Sequence, residues 1–402
     1  MRALLIAVLA LVAVPSAAQA QVQAQIDPSV VRQIQRIPTA PASVVALGDS
    51  AISGEAGRWA GNTNQAPSKT DALGSTAYHD VPGAESTPGC HRSKSAEVHI
   101  GGGVLSANIS CSGARTYSRM SDGKFKPGID FYNVNGRKGQ ALQLKEYAAT
   151  NNVKAVVVLI GANDYGFAEI LETCVINWLT SPSWWKNYCQ DDSNLVAMFS
   201  ASNISKITND VRGAFQNVKT AMTQAGYDED DYEILAQTYS APLPLSGGMR
   251  YPETGFTRQT IGGCGSWNSD INWARNTVVN TLNNTIKNAV AGMSNVKVLE
   301  MVGALYGRRL CENTVGLLEE KGVSTWQSAG AVDKTEWVHQ IRTISTIFPP
   351  YQLQEDGHPN YWGQLALRNC FRQAYNGGNV QGGSCSRGTG LNSKGEPNMS
   401  LN

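Results

Sequence analysis

Four short stretches of the chain carry residue types that together can transfer an acyl group. Ser50 follows Gly48 and Asp49 at the end of SVVALGD, Gly113 lies in CSGA at 111–114, Asn163 lies in GAND at 161–164, and His358 lies in QEDGHPNYWGQLAL. A serine hydroxyl is a weak nucleophile, so it needs a base within hydrogen-bond reach, a group that orients the base, and donors aimed at the developing oxyanion. Ser50 would supply the hydroxyl and its own N–H, and His358 the base. Gly113 would offer a backbone N–H at close approach because no side chain intervenes, and Asn163 a side-chain amide. Gly-Asp-Ser alone is an ordinary turn sequence; the weight rests on the ordered set.

These residues need elements to present them. SVVALGD (43–49) is a short β-branched run ending in a turn, and VLSANISCSGA (104–114) repeats that pattern. GQALQLKEYAATNN (139–152) has broadly helical spacing, and VKAVVVLIGAND (153–164) follows it as the strongest strand signal in the chain. Its lack of alternation predicts burial on both faces. Two further helix-then-strand pairs are ISKITNDVRGAFQNVKTAMTQAG before YEILAQTYS, and INWARNTVVNTLNNTIKNAVAG before VKVLEM. Strands alternating with helices predict a parallel sheet covered on both sides. Ligands bind beyond the carboxyl ends of such strands, where Ser50, Gly113 and Asn163 are all expected.

Two segments break the rhythm, 55–97 and 165–200, and both are expected over the site because both follow strand ends. The second carries Trp184 and Trp185 between Cys174 and Cys189. They form either a small local core or an apolar or sugar-stacking wall of the pocket. Residues 377–402 are rich in Gly, Ser and Asn, which predicts a mobile tail apart from Cys385.

MRALLIAVLALVAVPSAAQAQ opens the chain with Arg2, an apolar run to Val14 and a small-x-small pattern ending at Ala20. This reads as a bacterial secretory signal peptide over 1–20, cleaved after Ala20, with a polar lead-in over 21–41. No later stretch approaches the roughly 20 apolar residues of a membrane-spanning helix. The expected location is secreted or periplasmic. Cys90, Cys111, Cys174, Cys189, Cys264, Cys311, Cys370 and Cys385 are eight in number, and an even count in an exported chain points to disulfides. Pairing in sequential order would staple four separate loops, one of 105 possible connectivities. No Cys-x-x-Cys pair occurs and the histidines do not cluster with the cysteines, so no metal site is expected; His79, His91, His99 and His339 are read as structural or exposed. With 33 basic and 32 acidic residues and no basic run, nothing favours nucleic acid or an anionic membrane as partner.

GDS near the start, a glycine after the second strand, Gly-x-Asn-Asp after the third and His-Pro-Asn before the last helix resemble the SGNH hydrolases, also called the GDSL esterases and lipases. CHRS at 90–93, CSGA and WARNTVVNTLNNTI at 273–286 resemble a secreted, disulfide-containing bacterial branch of that family. The resemblance implies one domain over 42–376, a flavodoxin-like three-layer α/β/α sandwich on a parallel sheet of about five strands, with long loop insertions. It implies Ser50 as nucleophile, His358 as general base and acid, and an oxyanion hole from Ser50, Gly113 and Asn163, with Asp164 holding its loop. The family's acid stands three residues before the histidine, which here is Glu355; Asp356 is the alternative and a main-chain carbonyl a third. The implied activity is hydrolysis of carboxylic esters, whether lipid, short-chain acyl or O-acetylated carbohydrate, by a cofactor-free monomer. A glycan-cleaving hydrolase on the same scaffold and a non-catalytic envelope binding protein are the alternatives.

Overall fold

The computed structural model of the chain describes residues 40–78, 85, 87–343 and 347–402. The expected signal peptide, nearly all of the lead-in and His79 lie outside the described residues. The five expected strands form: β1 (Ala42–Gly48), β2 (Leu105–Asn108), β3 (Asn152–Leu159), β4 (Glu233–Gln237) and β5 (Val296–Glu300). They pair in parallel in the order β2-β1-β3-β4-β5, the flavodoxin-like order, whose switch point lies between β1 and β3. Along β3 all residues but Asn152 and Lys154 are buried, the sign of a strand covered on both faces.

The covering helices include α1 (Ser50–Ser53), α2 (Gln140–Ala148), α3 (Phe167–Thr180) and α4 (Ala201–Gln224). α5 (Asn268–Trp273) runs through a π-helical segment, Ala274–Val279, into α6 (Asn280–Val290), and α7 (Tyr361–Tyr375) comes last. α4 shows why such sequences form helices: Ile207, Val211, Ala214, Phe215, Val218, Ala221 and Met222 recur at three- and four-residue spacing and are all buried. That stripe packs against α2 and α6, while α7 packs against the C-terminal strands. The result is a three-layer α/β/α sandwich.

The C-terminal segment departs from expectation. Residues 377–402 are an ordered part of the sheet: β6 (Gly383–Leu391) joins β5 in parallel and β7 (Pro397–Leu401) returns antiparallel to it, extending the sheet to seven strands. The Gly, Ser and Asn content conceals a two-residue alternation, because Cys385, Pro397 and Met399 face inward and are buried. Cys385 is bonded to Cys370 of α7, and Arg372 of α7 pairs with buried Glu396. The other disulfides are Cys90–Cys111, Cys174–Cys189 and Cys264–Cys311, the sequential pairing. Among the described residues no helix is long and apolar enough to cross a membrane.

Candidate active site

Strand β1 delivers the serine through a junction that only glycine can occupy. A Cβ on Gly48 would stand 1.9 Å from the Leu159 carbonyl oxygen, and its φ is +138°. The Gln140 side chain brackets this residue, accepting from Gly48 N–H at 2.7 Å and donating to its carbonyl at 2.8 Å. Asp49 follows, its N–H bonded to Leu159 O at 3.1 Å and its carboxylate capping α1 through Ala51 N–H at 3.2 Å. The Tyr239 hydroxyl donates to the other Asp49 oxygen and accepts from Ala162 N–H at 2.9 Å. Burial raises the Asp49 pKa to about 7 against those two hydrogen bonds. Asp49 thus latches the nucleophile loop to the ends of β3 and β4, and Ser50 begins α1 beside them.

His358 arrives from the opposite end of the chain, and its Nε2 lies 2.6 Å from Ser50 Oγ. Two neighbours fix its backbone. His339 N–H donates to His358 O at 2.8 Å, and Asn360 caps α7 by accepting from Trp362 and Gly363 N–H at 3.1 and 3.3 Å. Burial lowers the His358 pKa; the Glu55 carboxylate and the Asp356 and Glu355 carbonyls act against that shift. The imidazole is therefore neutral near pH 7, as a base must be.

The carboxylate of Glu355, the expected acid, is hydrogen-bonded to groups other than His358. Glu355 ends a single helical turn, Leu353–Glu355, whose geometry folds its carboxylate back to accept from Gln352 N–H at 3.0 Å. Its other oxygen accepts from the Tyr78 hydroxyl at 2.5 Å, and burial raises its pKa to about 7. Asp356 turns to Arg342 N–H at 2.8 Å, with burial raising its pKa to about 8. No side-chain carboxylate is bonded to His358 Nδ1 among the described residues, and the carbonyls of Asp356 and Glu355 are the main-chain groups that support its protonated form. Glu355→Gln is therefore expected to change kcat/KM by less than about tenfold, against roughly 10⁴ for loss of an orienting acid. A steady-state assay checks this, and a loss near 10⁴ would return Glu355 to the orienting role.

Asn163 and Gly113 meet through the turn between them. Asn163 Nδ2 donates to Ala114 O at 2.9 Å, and a primary amide keeps a second N–H for a ligand. Gly113 holds a φ of +77° in that turn. Asp164 does hold the loop: its carboxylate accepts from Thr116 N–H at 3.2 Å and Thr116 Oγ1 at 2.9 Å. Asp49, Ser50, Asn163 and His358 wall one cavity with Phe167, Tyr239 and Pro242, and Gly113 is not among its lining residues. Trp184 and Trp185 are not brought there either. They are 81% and 73% exposed, edge to face at 6.4 Å on the loop after α3.

Several contributors to the site carry no motif. Tyr239, Gln140 and Tyr78 are recognisable only through their contacts. His91, inside CHRS, is buried, with Nδ1 2.9 Å from buried Glu55, and its ring stacks on Tyr78 at 4.7 Å. Burial alone would lower its pKa, but the carboxylates of Glu55, Glu85 and Glu355 together raise it. His339 is likewise buried, between Trp59 and Tyr351, and burial puts its pKa well below the usual range. His99 is half-buried, with Nδ1 2.8 Å from Ser106 Oγ.

No protein-family profile and no curated protein sequence matches the chain. Among solved structures, it is similar to an extracellular lipase from Streptomyces rimosus at 17% identity and a TM-score of 0.44, covering 83% of this chain and 99% of that one. It is similar to a carbohydrate acetylesterase from Sinorhizobium meliloti at 12% identity and a TM-score of 0.33, covering 84% and 99%. An aryl esterase from M. smegmatis is similar at 12% identity and a TM-score of 0.29, covering 83% and 99%. The flavodoxin-like strand order places Ser50 and Asn163 at the ends of β1 and β3, and His358, ahead of α7, in contact with Ser50.

Proposed function

We propose that this chain is a secreted or periplasmic serine esterase that hydrolyses carboxylic esters through an acyl-enzyme on Ser50. The observation that carries the reading is the 2.6 Å contact between His358 Nε2 and Ser50 Oγ, a nucleophile and its base within hydrogen-bond reach. His358 takes the hydroxyl proton as Oγ adds to the ester carbonyl, and the negative charge moves to the carbonyl oxygen. Ser50 N–H, Gly113 N–H and Asn163 Nδ2 are the donors proposed for that oxygen. Collapse of the tetrahedral species expels the alcohol, which receives the proton from His358. Water then repeats the sequence on the acyl-enzyme, releasing the carboxylic acid and restoring Ser50. The main-chain carbonyls of Asp356 and Glu355 would steady the imidazolium in both halves.

Glycan cleavage by paired carboxylates is disfavoured, since Asp49 is the only carboxylate among the described residues lining the cavity and such chemistry needs two flanking the bond. The direct test is labelling with a fluorophosphonate followed by peptide mapping. One adduct on the peptide containing Ser50 is expected, and no adduct, or one on another serine, would overturn the proposal. Because burial lowers the His358 pKa, the neutral base persists to lower pH. The acid limb of kcat/KM on a p-nitrophenyl ester is accordingly expected below the usual imidazole value of about 6.5.

A further inference from the structure

Behind the wall of the site lies a second chamber. It shares Phe167, Pro242 and Val279 with the cavity at Ser50, so the two spaces meet across these three side chains. Ile170 and Val175 of α3, Ile271 of α5, Val278 of the π-helical segment and Ile341 line it. All five of these are buried. The π-helical segment is material here. Its wider turn brings both Val278 and Val279 to the chamber wall, and such segments recur at functional sites.

The polar groups in the wall are engaged elsewhere. Asp270 accepts from Cys189 and Gln190 N–H at 3.2 and 3.1 Å, and Arg275 donates to Asn280 at 3.1 Å and to Tyr306. What faces the space is apolar, and an apolar cavity favours an alkyl group over water. Its volume is about 70 Å³, which at roughly 25 Å³ per carbon, the share benzene takes in an apolar cavity of about 150 Å³, holds about three carbons. α3 also roofs the catalytic loop, because Leu171 approaches within 3.7 Å of the space beside Gly357. The disulfide Cys174–Cys189 ties that helix down.

We propose that this chamber holds the distal part of the acyl chain, so that the preferred substrates are esters of acyl chains of about six carbons and not acetyl esters. The proposal rests on the esterase reading of Ser50 and deepens it. An acyl carbonyl beside Ser50 would send its first carbons past Phe167 and Val279 and the remainder into the chamber. Each methylene leaving water favours binding roughly fourfold. Burying about three of them makes hexanoate preferred over acetate by roughly 60-fold in kcat/KM.

The experiment compares p-nitrophenyl acetate with p-nitrophenyl hexanoate, both below micellar concentration, in the wild-type chain and in Val279→Phe and Leu171→Trp. Leu171 is only half-buried, which makes its replacement the gentler of the two. The readout is the ratio of kcat/KM for hexanoate over acetate. A wild-type ratio far above one, reduced at least tenfold in a variant that keeps the wild-type melting temperature, supports the proposal. A wild-type ratio at or below one overturns it without any variant, as does a ratio unmoved in both folded variants. Acetate turnover with Ser50 labelled and no chain-length preference overturns the chamber while leaving the esterase reading intact. No turnover of either ester and no labelling of Ser50 overturns both.

Discussion

Ser50→Ala is expected to lower kcat on a p-nitrophenyl ester by roughly 10⁴ to 10⁶-fold, with a residual rate above that in water supplied by the hole donors. The loss is large because, among the described residues, Ser50 Oγ is the hydroxyl bonded to His358 Nε2. His358→Ala should fall by a similar factor, and the double variant little further, since nucleophile and base act as one unit. The fold should not notice the serine change. Asp49, not Ser50, caps α1, and Gly48 is held by Gln140, so thermal melting within about 0.5 kcal/mol of wild type is expected. Retained turnover in a folded Ser50→Ala chain would place the chemistry elsewhere.

Asn163→Ala is the second large effect. A donor that strengthens as charge develops on the substrate oxygen contributes to kcat and little to ground-state binding. Removing one such donor costs about 3 kcal/mol, so kcat is expected to fall 10² to 10³-fold with KM nearly unchanged. The same substitution deletes the Asn163 bond to Ala114 O, but Asp164 keeps the two loops together through Thr116. Circular dichroism and melting should therefore match wild type. A rise in KM with kcat unchanged would instead identify Asn163 as a binding residue with no share in stabilising the transition state.

The mixture of success and failure in reading this sequence has a common cause. Ser50 and Asn163 are legible as candidates because each sits in a short stretch whose strand is also legible: a β-branched run ending in Gly, Asn or Asp states both the element and its end. His358 was legible because Asn360, two residues on, is a helix cap. The partners of Glu355 are not legible because orientation is not a local property. Its turn points the carboxylate toward Tyr78, 277 residues away in the chain, and nothing near Glu355 announces that partner. The tail failed for a related reason. Its composition reads as linker, and only Cys370 in α7 and the open edge of β5 make it a hairpin.

The alternation of strands and helices, the parallel sheet and the candidacy of Ser50 and His358 as nucleophile and base are all legible in the sequence, since periodicity and turn chemistry are written within a few residues. The tertiary structure alone decided what orients His358, how Asp49 and Tyr239 latch the serine loop, and which walls form the cavity. It moved Trp184 and Trp185 out to solvent and set Phe167, Pro242 and Val279 between two chambers. Burial and hydrogen-bond satisfaction depend on residues tens to hundreds of positions apart, and they are settled only when the whole sheet has closed around them.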